Sequence, residues 1–170
     1  MSKEKEREVL SWRRLPLETK YDVGIRAARN EIGAFRMLIL ELFGPEKAFE
    51  ALDKFYRGLA HKAYEEVMAK GILKGNSIKD IAAFLCTMYD SYNIPVEVEV
   101  TDERVRLQYN KTSPELCAWG IPKGDDRLCC GIAWTQEFVK LINPKLRAYL
   151  SKTKRWGDEW CEEVIELKED

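Results

Sequence analysis

Across residues 17–43, apolar side chains recur every three or four positions, at Tyr21, Ile25, Ala28, Ile32, Phe35, Ile39 and Leu42. That is the period of an amphipathic helix. Gly24, Ala27, Ala28, Gly33 and Ala34 keep one side slim enough for another element to approach closely. Gly44-Pro45 breaks the pattern, because glycine suits a helix end and proline a first turn. A second helix is predicted over residues 45–70, with Phe49, Leu52, Phe55, Leu59, Ala63 and Val67 on one face, and Gly71 and Gly75 end it. Ser77 with Asp80 three residues later reads as the N-cap of a third helix, residues 78–89, carrying Ile81, Phe84, Leu85 and Met88.

The period then changes to two. Val96, Val98 and Val100 alternate with Glu97 and Glu99, and after Thr101-Asp102-Glu103, Val105, Leu107 and Tyr109 alternate with Arg104, Arg106 and Gln108. This predicts a β-hairpin with Glu facing Arg across it. Ser113-Pro114, Gly120, Pro122, Gly124 and Asp125-Asp126 mark loops. A helix follows over residues 128–142, stopped by Asn143-Pro144. A strand from Leu146, a turn at Gly157-Asp158 and a strand over residues 160–167 complete the chain. The fold class is α+β: long N-terminal helices packed on an antiparallel sheet of about four strands, arranged as two hairpins separated by a helix. Residues 1–16 read as a charged flexible lead, and residues 17–170 as a single domain.

Composition narrows the partners. A hydrophobic content of 45 % over 170 residues is enough for a core without disulfides. Lys and Arg number 28 against 29 Asp and Glu, so the net charge of −1 argues against nucleic-acid binding by bulk electrostatics. No apolar run approaches the roughly 18 residues of a membrane span. The alternating Lys, Arg and Glu of residues 1–8 lead into no apolar signal run, so a cytoplasmic location is expected. The expected partners are a small-molecule ligand, bound on one face of the sheet or in a cleft between helices and sheet, and a second copy of the chain in a homo-oligomer.

Five cysteines stand at 86, 117, 129, 130 and 161; the odd count and a reducing compartment argue against a disulfide framework. Cys86 falls among apolar residues of the third helix and reads as core. Cys129 and Cys130 start the fourth helix, where backbone N–H groups and the helix dipole stabilise a thiolate. With Cys117 from the preceding loop and Cys161 from the last strand they could converge on Zn or an iron–sulfur cluster. The same four residues also suit core filling or a reactive thiol. His61 is the only histidine, a candidate general base as well as a boundary side chain. Asp125, Asp126 and Asp158 adjoin the cysteine segments, in positions that equally suit turns. Most other carboxylates read as solvated faces. Trp119, Trp134, Trp156 and Trp160 suit a ligand pocket or the core.

The runs Cys129-Cys130-Gly131-Ile132-Ala133-Trp134 and Phe138-Val139-Lys140-Leu141-Ile142-Asn143-Pro144-Lys145-Leu146, followed by Gly157-Asp158 and Cys161, resemble the L-2-amino-thiazoline-4-carboxylic acid hydrolase-like family. Phe43-Gly44-Pro45-Glu46-Lys47-Ala48 is similar to uncharacterised prokaryotic relatives of that group. The element order is distantly similar to 4-vinyl reductase-type ligand-binding domains, which share a fold with a Golgi trafficking subunit. The resemblance spans about residues 20–167 and singles out Cys117, Cys129 or Cys130, Asp158 and Cys161.

Three functional readings follow. One is a small-molecule-binding sensor or accessory domain with a thiolate metal site at Cys117, Cys129, Cys130 and Cys161. The second, implied by the resemblance, is a C–N hydrolase of a small cyclic amidine-like substrate, with Asp158 or His61 moving protons. The third is a non-catalytic oligomeric interaction domain.

Overall fold

The computed structural model describes residues 16–109, 111 and 131–168. Within them the order is α1 (Leu17–Ala69), α2 (Ile78–Ser91), β1 (Val96–Val100), β2 (Arg104–Tyr109), α3 (Gly131–Ile142), β3 (Leu146–Lys152), a single 3-10 turn (Lys154–Trp156) and β4 (Cys161–Leu167). This is the expected α+β architecture, with one helix and a second hairpin after the first.

α1 is two helical arms joined at Gly44, whose φ of 73° and ψ of 168° leave helical space. Only glycine takes that φ without strain, and Pro45 follows as a first-turn residue that needs no N–H donor. The arms fold back on each other. Arg36 Nε donates to the Tyr56 hydroxyl at 2.7 Å, the Phe35 and Phe55 rings lie 6.4 Å apart, and Ile39 and Leu40 pack against Ala48 and Leu52. The start of the first arm rests on the end of α2: Tyr21 donates to the Ser91 carbonyl, Arg29 to the Tyr92 carbonyl, and Asn93 to Asp22. The α2 start has the expected capping box, with Ser77 and Asp80 each accepting from the other's backbone N–H.

The sheet order is β1-β2-β4-β3, with every neighbouring pair antiparallel. Both hairpins therefore meet along β2 and β4, and β4 becomes a central strand. Alternation sets Cys161, Glu163 and Ile165 on the helix side, level with Tyr109, Leu107 and Val105 of β2. Ile81, Leu85 and Tyr89 of α2, and Val139 of α3, close over them. A neighbouring cluster ties α1 to α3 through Ala60, Val67 and Phe138.

Two expectations need correction. The apolar stripe of the α1 arms is not all core: Phe35 is 49 % exposed, Leu42 64 % and Phe55 48 %. The seam between the arms, narrowed by Ala48 and Arg36, covers less than the stripe's width. The carboxylates of the last strand are not solvated either, since Glu162, Glu163 and Glu166 are all buried. Glu163 lies under the helices beside Tyr89, and on the opposite face the side chains of Ser151, Gln108, Arg104 and Arg147 cover Glu162 and Glu166.

Candidate functional site

β4 presents Glu163 inward, between Cys161 and Ile165 and opposite Leu107. Its carboxyl is fully enclosed. The Tyr89 hydroxyl donates to Glu163 Oε2 at 2.8 Å, and Thr135 of α3 supplies a second side-chain hydrogen bond. Tyr89 stacks on Tyr109 of β2, with ring centroids 5.2 Å apart. One carboxyl, two tyrosines and a threonine, from β4, α2, β2 and α3, thus form a polar island in an otherwise apolar core. Burial pushes the Glu163 pKa up and outweighs the two hydrogen bonds, which pull the other way. A carboxyl held towards its neutral form can donate as well as accept.

The opposite face of β4 is ionic. Glu166 accepts from Arg104 at 2.6 and 2.7 Å and from Arg147 at 2.6 and 2.9 Å. Burial raises its pKa, but these guanidiniums and Tyr149 outweigh burial and hold it below the usual carboxylate range. Glu162 behaves likewise: burial is offset by donation from Ser151 at 2.5 Å and Gln108 at 2.7 Å. A surface cavity of about 470 Å³ opens on this side, lined by Glu99, Thr101, Glu103, Arg104, Arg106, Glu166 and Leu167. Three carboxylates and two guanidiniums largely neutralise one another there, so the cavity selects no strongly charged ligand.

The residues singled out in the sequence fall in separate places. Cys161 is buried at the start of β4, its Sγ 3.7 Å from Thr153 Oγ1. Asp158 Oδ2 accepts from the Thr153 N–H at 2.8 Å, while the Asp158 N–H returns to the Thr153 carbonyl, so it ties the β3–β4 turn. Asp158 and Cys161 thus share Thr153. His61, on α1, lies 3.3 Å from Glu137 of α3, which also receives Arg57 at 3.2 Å. Cys117, Cys129, Cys130, Asp125, Asp126 and Trp119 lie outside the described residues. Among the described residues, no three His, Cys, Asp or Glu side chains converge as a metal ion requires. Cys86 is half-buried, and burial raises its thiol pKa, as a core cysteine requires. Trp134 stacks on Phe138 at 4.6 Å, Trp156 is exposed, and Trp160 lies under the ammonium of Lys152 at 4.2 Å.

Sequence reasoning missed Glu163. Its signal was parity: in an alternating strand it shares a face with Cys161 and Ile165.

No family model and no curated protein sequence matches the chain. Solved structures do. Subunit 3 of the trafficking protein particle complex from Naegleria fowleri, covalently bound to palmitic acid, aligns with a TM-score of 0.63 at 14 % identity, over 86 % of this chain and 96 % of that one. The phenol-responsive sensory domain of the transcription activator PoxR, with phenol, aligns with a TM-score of 0.55 at 12 % identity, over 82 % and 74 %. The chain therefore has the fold these two proteins share. Among the described residues, no helix is long and apolar enough to cross a membrane.

Proposed function

We propose that this protein is a small-molecule-binding domain with a sensor or accessory role, holding its ligand between the helices and the inner face of the sheet. The observation that carries the reading is Glu163. A carboxyl enclosed among Leu107, Ile165 and Tyr89 is costly in a core that an apolar residue would fill. Such exceptions to core chemistry gather at functional sites. With Tyr89 and Thr135 it would anchor the hydroxyl or carbonyl of an uncharged ligand whose body is apolar. The shared fold lends support, since one neighbour carries palmitic acid and the other phenol.

Titration with phenol and with palmitic acid, followed by thermal shift, tests the reading. The wild type is expected to gain stability with at least one of them, and Glu163→Leu to lose most of that gain, each protein being compared with its own ligand-free melting temperature. No gain in the wild type, or an equal gain in Glu163→Leu, overturns it.

A thiolate metal centre is the finer form of this reading. Its support is positional: Cys161 opens β4, and Cys129 and Cys130 precede the described part of α3 in the sequence. Metal analysis of freshly purified protein is expected to find stoichiometric Zn or iron, lost when Cys117, Cys129, Cys130 and Cys161 are each changed to Ser. Metal-free wild type removes this centre and leaves the Glu163 site untouched. The hydrolase reading draws less support, because Asp158 and His61 serve different partners on different elements.

A further inference from the structure

β1 is an edge strand, bonded along one side to β2, and no other strand among the described residues takes its outer side. The Thr101 N–H donates to the Arg104 carbonyl at 2.8 Å. Alternation along an antiparallel ladder then directs Glu97 and Glu99 to β2 and turns the backbone groups of Val96, Val98 and Val100 outward. Both side-chain rows are open as well. Val98 is 37 % and Val100 43 % exposed, and Glu97 and Glu99 are exposed on the other face. A bare edge of this kind is a template for another strand.

Charge decides which strand. A second copy pairing antiparallel about Val98 would set Glu97 opposite Glu99 twice, and like charges directly opposite are destabilising. The complement is visible on the other side of β1, where β2 sets Arg106 opposite Glu99 and Lys111 reaches Glu97 at 2.5 Å. We propose that the outer edge of β1 is a docking site for an extended protein segment that alternates apolar with basic residues and joins the sheet as a fifth strand. The basic side chains pair with Glu97 and Glu99, the apolar ones extend the face of Val98 and Val100, and the ladder gives the affinity.

The probe is the blocked hexapeptide acetyl-Arg-Val-Arg-Val-Arg-Val-amide, titrated into the full chain and followed by amide NMR and hydrogen exchange. Binding is expected to slow exchange at Val96, Val98 and Val100. A peptide N-methylated at alternate amides keeps the charge but blocks the ladder, and is expected to bind at least about tenfold more weakly. Glu97→Lys with Glu99→Lys, both at exposed positions, is expected to weaken the unmodified peptide by about the same factor. Equal binding of the N-methylated peptide, or no protection of the three valine amides, overturns the proposal. So does protection already present in the free protein, which places its own chain on the edge, or protection that rises with protein concentration, which places a second copy there.

Discussion

Changing Phe138 to Ala is expected to cost about 3–5 kcal/mol of stability, the usual range for emptying a buried aromatic site. At roughly 2–4 °C per kcal/mol for a chain of this size, the melting temperature should fall by about 6–20 °C. The reason is position. Phe138 is fully buried and stacks on Trp134 at 4.6 Å and on Phe84 at 5.0 Å, so a single ring joins α3 to α2. Ala60 and Val67 of α1 complete its surroundings. Removing the ring loses both stacks at once and leaves a space among residues of three helices. Thermal denaturation checks this, with Phe138→Leu as a milder companion; a loss under about 1 kcal/mol for the alanine variant would show that the ring is not enclosed.

Glu163→Gln should separate from the wild type only as the pH rises. In the unfolded chain a glutamate ionises near about 4.3. Burial raises the value in the fold, against the hydrogen bonds of Thr135 and Tyr89. The folded state therefore holds the proton more tightly. Its contribution is fully present below about 4.3 and is lost as pH climbs through the raised folded value. Glutamine keeps an acceptor for Tyr89 and does not titrate. The two proteins should match near pH 4, and the variant should become the more stable of the two as the pH rises towards 8. Glu162 and Glu166 have lowered values, so their contributions are present above about 4.3 and fade on acidification. They act alike in both proteins and cancel in the difference. Chemical denaturation at several pH values measures it, and parallel pH profiles would sink the assignment of a raised Glu163.

Much of the fold was legible because local chemistry agreed with it. Gly44-Pro45 can do little but interrupt a helix, and Ser77 with Asp80 builds a cap within four residues. The Val-Glu alternation of β1 and the Arg-Val alternation of β2 match in register, with Glu99 opposite Arg106 as expected. The candidate site was less legible. Thiols carry conspicuous chemistry in a sequence; of the five, Cys161 is buried in the fold with its Sγ 3.7 Å from Thr153 Oγ1. Asp158 was correctly placed at a turn, and the turn accounts for its hydrogen bonds. Glu163 is not legible as a buried group, because Glu162-Glu163 reads as a pair of surface charges until the strand's neighbours are known.

By itself the sequence determined the main helices and strands and, within a residue or two, most of the ends seen among the described residues, since capping, turn chemistry and hydrophobic period act over a few residues. It also determined which residues of β4 share a face. Only the tertiary structure decided that β4 lies inside the sheet rather than at its rim. That follows from how the second hairpin docks on β2, a long-range choice that no local pattern encodes. The same choice buries three glutamates, gives Glu166 its two arginines, encloses Glu163 beside Tyr89 and Thr135, and leaves β1 as an open edge. The chemistry of this protein rests on burial, and burial is a property of the assembled sheet and helices.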